Sequence, residues 1–181
     1  MSKHYEYIGP KEILNQIQPQ FKGTVISTLQ DIYRWIMKHL HNSKVGEVVI
    51  CTFIINLEGQ LVIADRHSEH VQCAFGEAVK SAGEIVFLIE KGQHITIDSI
   101  TNQSTGYCPS ADSWKAVEAA LKKIDGLNIP NGFEPEFVFS YCPNCETRQI
   151  VREAFYYCPM CEGALLSEVE FQEKRRYLTF R

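Results

Sequence analysis

The sequence predicts an α+β protein, an antiparallel sheet with flanking helices followed by a small C-terminal module. Three observations carry this. Runs of β-branched and aromatic residues broken by Glu-Gly and Lys-Gly turns fill the middle of the chain, and amphipathic helical segments stand on either side of them. Four of the seven cysteines crowd into residues 142–161.

The elements follow in order. A short helix is expected from Pro10, because the N–H that proline lacks has no partner in a first turn anyway. Ser27-Thr28-Leu29-Gln30 has the form of a capping box, and Leu29, Ile32, Trp35, Ile36 and Leu40 recur at helical spacing, predicting a helix over about residues 28–41. From Glu47 the period changes. VVICTFIIN, a Glu58-Gly59 turn and LVIAD read as one hairpin; EIVFLIE, a Lys91-Gly92 turn and HITIDSIT read as a second hairpin of the same sheet. Ser110 is expected to cap a helix with Trp114, Val117, Leu121 and Ile124 on one face and Gly126 at its end. After a Pro130-Asn131-Gly132 turn, EFVFSY reads as a strand running into the cysteine-rich segment.

That segment carries the most specific signal. Cys142-Pro143-Asn144-Cys145 and Cys158-Pro159-Met160-Cys161 are two C-P-x-C pairs separated by twelve residues. A tight turn places both sulfurs of such a pair on one ion, and two pairs complete the tetrahedron that Zn2+ prefers, with no position left for a substrate. The pattern is that of a zinc ribbon holding one structural zinc. TRQIVREAFYY between the pairs is expected to supply two short strands. A pair of disulfides, or a redox-active C-x-x-C, is the competing reading; a reducing compartment disfavours the first. The expected domains are an α+β main domain over residues 1–140 and the ribbon with the C-terminal segment over 141–181, rigidly docked because no flexible linker separates them.

Composition narrows the partners. With net charge −4 the chain lacks the basic excess that a phosphate backbone demands, so nucleic acid is not expected. The longest apolar run, Val48 to Ile55, is under half the roughly 20 residues that span a bilayer. The first twenty residues hold no signal-like apolar block, so a cytoplasmic location and no membrane partner are expected. EKRRYLTFR at the C-terminus holds four basic residues diluted by Glu168, Glu170 and Glu173, which reads as a solvated helix face or an edge strand. Oligomeric state is not legible.

Two loops hold residues that a packed core does not require, Arg66 to Cys73 and Thr101 to Pro109. Several readings stand side by side. Asn102, Ser104 and Ser110 can satisfy turn and cap amides, Tyr107 can be packing, and Cys73 and Cys108 can be small buried hydrophobes. His67 and His70 with Cys73 and Cys108 could instead form a second metal site, or His70 could activate Cys73 or Cys108 as a nucleophile.

A resemblance adds to this. His70, Gly76, Val79, Ala82-Gly83-Glu84-Ile85, the strand ending in Asn102, and Ser104-Thr105-Gly106-Tyr107-Cys108-Pro109-Ser110 resemble a domain with an H-S-x-F…G-G…A-A-G-E block and an S-G-H-Y-x-P-S block. That domain occurs in plant IQ-motif calmodulin-binding proteins and in some bacterial toxins or effectors, and the likeness covers about residues 66–126. The chain with its ribbon is also similar to a group of uncharacterised bacterial proteins with S-E-H-x-x-C, A-G-E and N-Q-S-T-G-Y-C-P blocks, which bring no activity with them. Gly106 stands where the first family has the His of S-G-H-Y. The resemblance implies that His70, Glu84, Asn102, Ser104 and Tyr107 share one pocket. Such a pocket would serve a module binding a protein or a small polar ligand. Alternatively it would serve an enzyme acting on a nucleotide-like substrate, with the His, Tyr and Glu arranged as in an ADP-ribosyltransferase.

Overall fold

The structure, a computed structural model, describes residues 3–39, 48–90 and 94–178. Five strands, β1 (Thr24–Ile26), β2 (Val48–Ile55), β3 (Leu61–Asp65), β4 (Ser81–Ile89) and β5 (Ile95–Ile100), form an antiparallel sheet in the order β1-β3-β2-β4-β5. A second sheet pairs β6 (Val138–Tyr141) with β7 (Arg148–Val151). The helices are α1 (Lys11–Leu14), α2 (Leu29–His39), α3 (His70–Cys73), α4 (Trp114–Leu121) and α5 (Glu168–Leu178). The α+β class and the antiparallel sheet are as the sequence predicts.

Alternation along the strands sorts the side chains onto two faces. Cys51, Phe53, Ile55, Ile63, Ile85 and Phe87 join Ile32, Trp35 and Ile36 of α2 and Val117 and Leu121 of α4 in the larger core. Ile54, Val62, Ala64 and Ala82 face the other way and are covered by Val71 and Cys73 of α3, by Tyr5 and by Tyr107. β3 is therefore buried on both sides, which is why LVIAD reads as an unbroken apolar run rather than an alternating one.

Several local expectations shift. The capping box lies one residue later: Thr28 Oγ1 accepts the Asp31 N–H at 3.1 Å and Asp31 Oδ2 accepts the Thr28 N–H at 2.9 Å. Ser110 caps nothing with its side chain. A 3₁₀ turn, Ala111–Ser113, intervenes before α4, and the Ser110 hydroxyl lies 2.7 Å from the Tyr5 hydroxyl instead. The strand β1 is not legible in the sequence, because three residues between Gly23 and Ser27 carry no periodic signal. In the ribbon, Arg148–Val151 is a strand as expected, but its partner is the preceding β6 and not the later half of TRQIVREAFYY, which makes only isolated bridges. Leu40, Glu47 and the Lys91-Gly92 turn lie outside the described residues.

The C-terminal segment is a helix with Glu173, Lys174 and Tyr177 on a solvated face, as expected, and with Phe171 and Arg175 on a docked one. Phe171 is fully buried with Ile8, Cys108, Phe139 and Tyr141 in a core shared by the N-terminal segment, the 101–110 loop and the ribbon sheet.

Candidate metal centre

Each C-P-x-C pair opens a turn of the same construction. The Cys142 N–H donates to Thr147 O and the Cys158 N–H to Gly163 O, both at 2.8 Å. The residue after each pair, Glu146 or Glu162, sits in the left-handed region at φ of 57° and 59°. After Glu162 the chain turns the Gly163 N–H toward Cys161 Sγ, and inside the turns earlier amides serve the first sulfur of each pair. Cys142 Sγ receives the amides of Cys145 and Asn144, and Cys158 Sγ those of Met160 and Cys161.

Cys142, Cys145, Cys158 and Cys161 converge. A zinc–sulfur bond of about 2.3 Å in a regular tetrahedron sets the sulfurs about 3.8 Å apart. Here the Cys142–Cys161 and Cys145–Cys158 sulfurs are 3.5 Å apart, and all four lie within 4.8 Å of one another. These separations are far too long for disulfides, whose sulfurs bond at about 2.05 Å. All seven cysteines are free. The four thiols can hold a metal ion, and among the described residues no other group of three or more His, Cys, Asp or Glu side chains does so. The alternative site from His67, His70, Cys73 and Cys108 is therefore not assembled.

The surroundings favour thiolates on one side of this cluster. The Asn144 amide and the Gly163 N–H lower the Cys161 pKa. Burial opposes ionisation of Cys158, but the Met160 and Cys161 amides and the Cys145 and Thr147 side chains outweigh it and bring it to about 6. Asn144 Nδ2 reaches Cys161 Sγ at 3.3 Å, and Thr147 Oγ1 lies 3.0 Å from Cys145 Sγ, as outer partners of ligating sulfurs do.

The residues expected in a cleft have a different fate. Tyr107 is fully buried, donates its hydroxyl to Glu77 O at 2.7 Å and packs edge-on against Tyr7. Burial pushes its pKa up. Asn102 is consumed by backbone: its amide donates to Pro109 O and Phe137 O, and its carbonyl accepts the Phe137 N–H at 2.7 Å. Ser104 is buried and its hydroxyl has no hydrogen-bond partner among the described residues. His70 is half-buried, with Nε2 2.9 Å from Gly83 O. Burial holds its pKa near 4, so the ring is neutral, Nε2–H donates to Gly83 and Nδ1 is the acceptor. Glu84 is half-buried and stands opposite Thr52 in the β2–β4 register, on the face over which the 66–70 loop passes through the Thr52 hydroxyl's bond to Ser68 O. His70 and Glu84 thus lie on one sheet face and stay partly accessible, whereas Asn102 and Ser104 are buried and Tyr107 is sealed into the core on that same face.

The thiols of the loops are paired with carbonyls rather than with a base. Cys73 Sγ lies 3.8 Å from Val62 O, and Cys108 Sγ lies 3.3 Å from Thr105 O. Burial pushes both to about 12, against Arg175 and Arg148 in the case of Cys108. Such thiols are poor nucleophiles.

One residue that sequence reasoning missed explains what the 101–110 loop does. Arg175 of α5 is buried and donates to Cys108 O at 2.8 Å, Tyr107 O at 2.7 Å and Glu6 O at 3.3 Å, with its guanidinium 4.8 Å over the Tyr5 ring. Arg148 of β7 donates to Ile8 O. The loop is a socket for the ribbon and the C-terminal helix. Within a basic run diluted by glutamates, nothing distinguishes Arg175 from its neighbours except its spacing of four from Phe171, which is also buried.

No family model, curated protein or solved structure matches the chain. The class is accordingly set by fold and site alone: an α+β protein with a five-stranded antiparallel sheet and a C-terminal four-cysteine cluster of the ribbon type. No helix among the described residues is long and apolar enough to cross a membrane.

Proposed function

We propose that the chain is a zinc-stapled binding module: one structural Zn2+ on Cys142, Cys145, Cys158 and Cys161 fixes the ribbon, and the ribbon with α5 fixes the loop socket of the main domain. The observation that carries this is the convergence of four thiols, within 4.8 Å, from two turns of identical construction. Zinc suits an all-thiolate tetrahedron with no open position, and a ribbon this small folds on its metal rather than on an apolar core. Binding is favoured over turnover because the groups an enzyme would use are held inactive. Tyr107 is sealed, and Cys73 and Cys108 are pushed to about 12.

The polar surface left for a protein or small polar ligand is that of His70 and Glu84. A melting-shift screen of zinc-loaded protein against nucleotides, NAD and nucleosides tests it, since a ligand of the folded state raises its stability. A hit weakened by His70→Ala and left chemically unchanged supports the module. Consumption of the hit, abolished by Glu84→Gln with affinity kept, would replace it with the enzyme on a nucleotide-like substrate that the S-G-H-Y-x-P-S resemblance implies.

A further inference from the structure

On the same sheet face, past the C-terminal end of α3, a cleft of about 380 Å³ opens between β1, the β2–β3 turn and the segment after α3. Its size falls in the range of small-molecule sites. The floor is apolar, formed by Ile54, Val62 and Ala74, and its lips are Val25 and Leu57, which are 43% and 45% exposed. Both are large apolar side chains left in water around one concavity, a placement that a core does not require.

The rim carries both signs of charge. Lys22, Glu58 and Glu77 line the cleft, and none of them belongs to an ion pair among the described residues. Two further polar lining residues engage one another: Asn56 Nδ2 donates to Gln60 Oε1 and Asn56 Oδ1 accepts the Gln60 N–H, both at 2.8 Å. The Lys22 ammonium lies 5.5 Å from the centre of the Phe75 ring. Phe75 is itself held at φ of 54°, a conformation that a bulky residue adopts only under constraint from its surroundings. Gly23 lets the chain close over the floor, since a Cβ there would come within 2.6 Å of Cys73 Sγ.

We propose that this cleft binds a small zwitterion with an apolar side chain, an apolar α-amino acid. Its side chain fills the floor between Val25 and Leu57, its carboxylate faces Lys22, and its ammonium faces Glu58 and Glu77. A purely cationic or purely anionic ligand would leave one sign of the rim unanswered, and a polar one would leave the floor wet. The inference adds a site to the binding reading and does not depend on which metal fills the ribbon.

The test uses the full-length protein with its metal in place, titrated with phenylalanine, phenethylamine and 3-phenylpropionate and followed by amide chemical shifts of Gly23, Val25 and Leu57. Phenylalanine is expected to bind at least about tenfold more tightly than either analogue, the size of one good charge pairing. Lys22→Gln should erase the preference over phenethylamine and Glu77→Gln should reduce that over 3-phenylpropionate, both at exposed positions. Val25→Asp should abolish binding of all three, with an unchanged melting temperature showing that the fold survives. Equal affinity for the three compounds, tighter binding of either analogue, or no binding of phenylalanine would overturn the proposal. Shifts confined to residues around His70 would do so too.

Discussion

The seven cysteines divide into two populations that share a side chain and little else. Cys142, Cys145, Cys158 and Cys161 meet one another among backbone amides, which together with neighbouring side chains lower Cys161 and bring Cys158 to about 6, while burial and the facing thiols leave the proton on Cys142, raised to about 11. Cys51, Cys73 and Cys108 are each buried separately, and desolvation pushes all three to about 12. The difference teaches that cysteine chemistry in this molecule is set by local backbone. A C-P-x-C turn builds donors and a second sulfur into four residues, whereas a lone cysteine in a sheet or loop behaves as a small hydrophobe.

The sharpest way to break the comparison is to move a cysteine from one population to neither. Cys158→Ser removes one of four ligands, and the remaining three thiols lose both the ion and each other. With metal binding acting as folding free energy, the ribbon is expected to lose more than about 5 kcal/mol and to melt separately from the main domain, with bound metal lost. Calorimetry with metal analysis reads both. Cys108→Ser, by contrast, should retain the metal.

A smaller effect comes from the clasp between the two regions. Arg175→Ala strands the Cys108, Tyr107 and Glu6 carbonyls that the guanidinium satisfies, and should cost about 3 kcal/mol by denaturant titration. Cys108 should then react with a thiol reagent that fails to label it in the intact protein. Arg175→Lys should rescue little, because one ammonium cannot reproduce a planar fork.

Smaller again is a pH effect on the sheet side. The folded protein holds His70 near pKa 4, while the unfolded chain titrates near its ordinary value of 6.5. Between those two pH values the unfolded state binds more protons, so stability is full above about pH 6.5 and falls as pH is lowered toward 4. The loss should be about 2 kcal/mol, less than the full shift implies because the ring keeps some solvent contact. His70→Gln should flatten the curve in that window. The smallest effect is a gain: Glu162→Gly relieves a left-handed residue at φ of 59° and should add about 0.5–1 kcal/mol.

What the sequence disclosed follows the same division. Both hairpins, the α2 helix and the four ligands were legible because strand alternation, helical spacing and the C-P-x-C turn are local patterns. The roles of Asn102, Tyr107 and Arg175 were not, because each is decided by partners far along the chain. Asn102 faces Phe137, Tyr107 faces Glu77, and Arg175 faces the carbonyls of Tyr107 and Cys108. A polar loop looks alike in sequence whether it faces a ligand or receives a helix. The cleft beside β1 was hidden for the same reason, since Lys22, Leu57 and Glu77 are brought together only by the sheet.

The claim on which the rest depends is that four thiolates hold one zinc. X-ray absorption at the zinc edge, with elemental analysis of protein purified without chelators, tests it most directly. The account predicts one zinc per chain, surrounded by four sulfurs at about 2.3 Å with no nitrogen or oxygen neighbour. A folded protein free of metal with its four ribbon cysteines joined as disulfides would contradict it, as would a metal bound through nitrogen or oxygen.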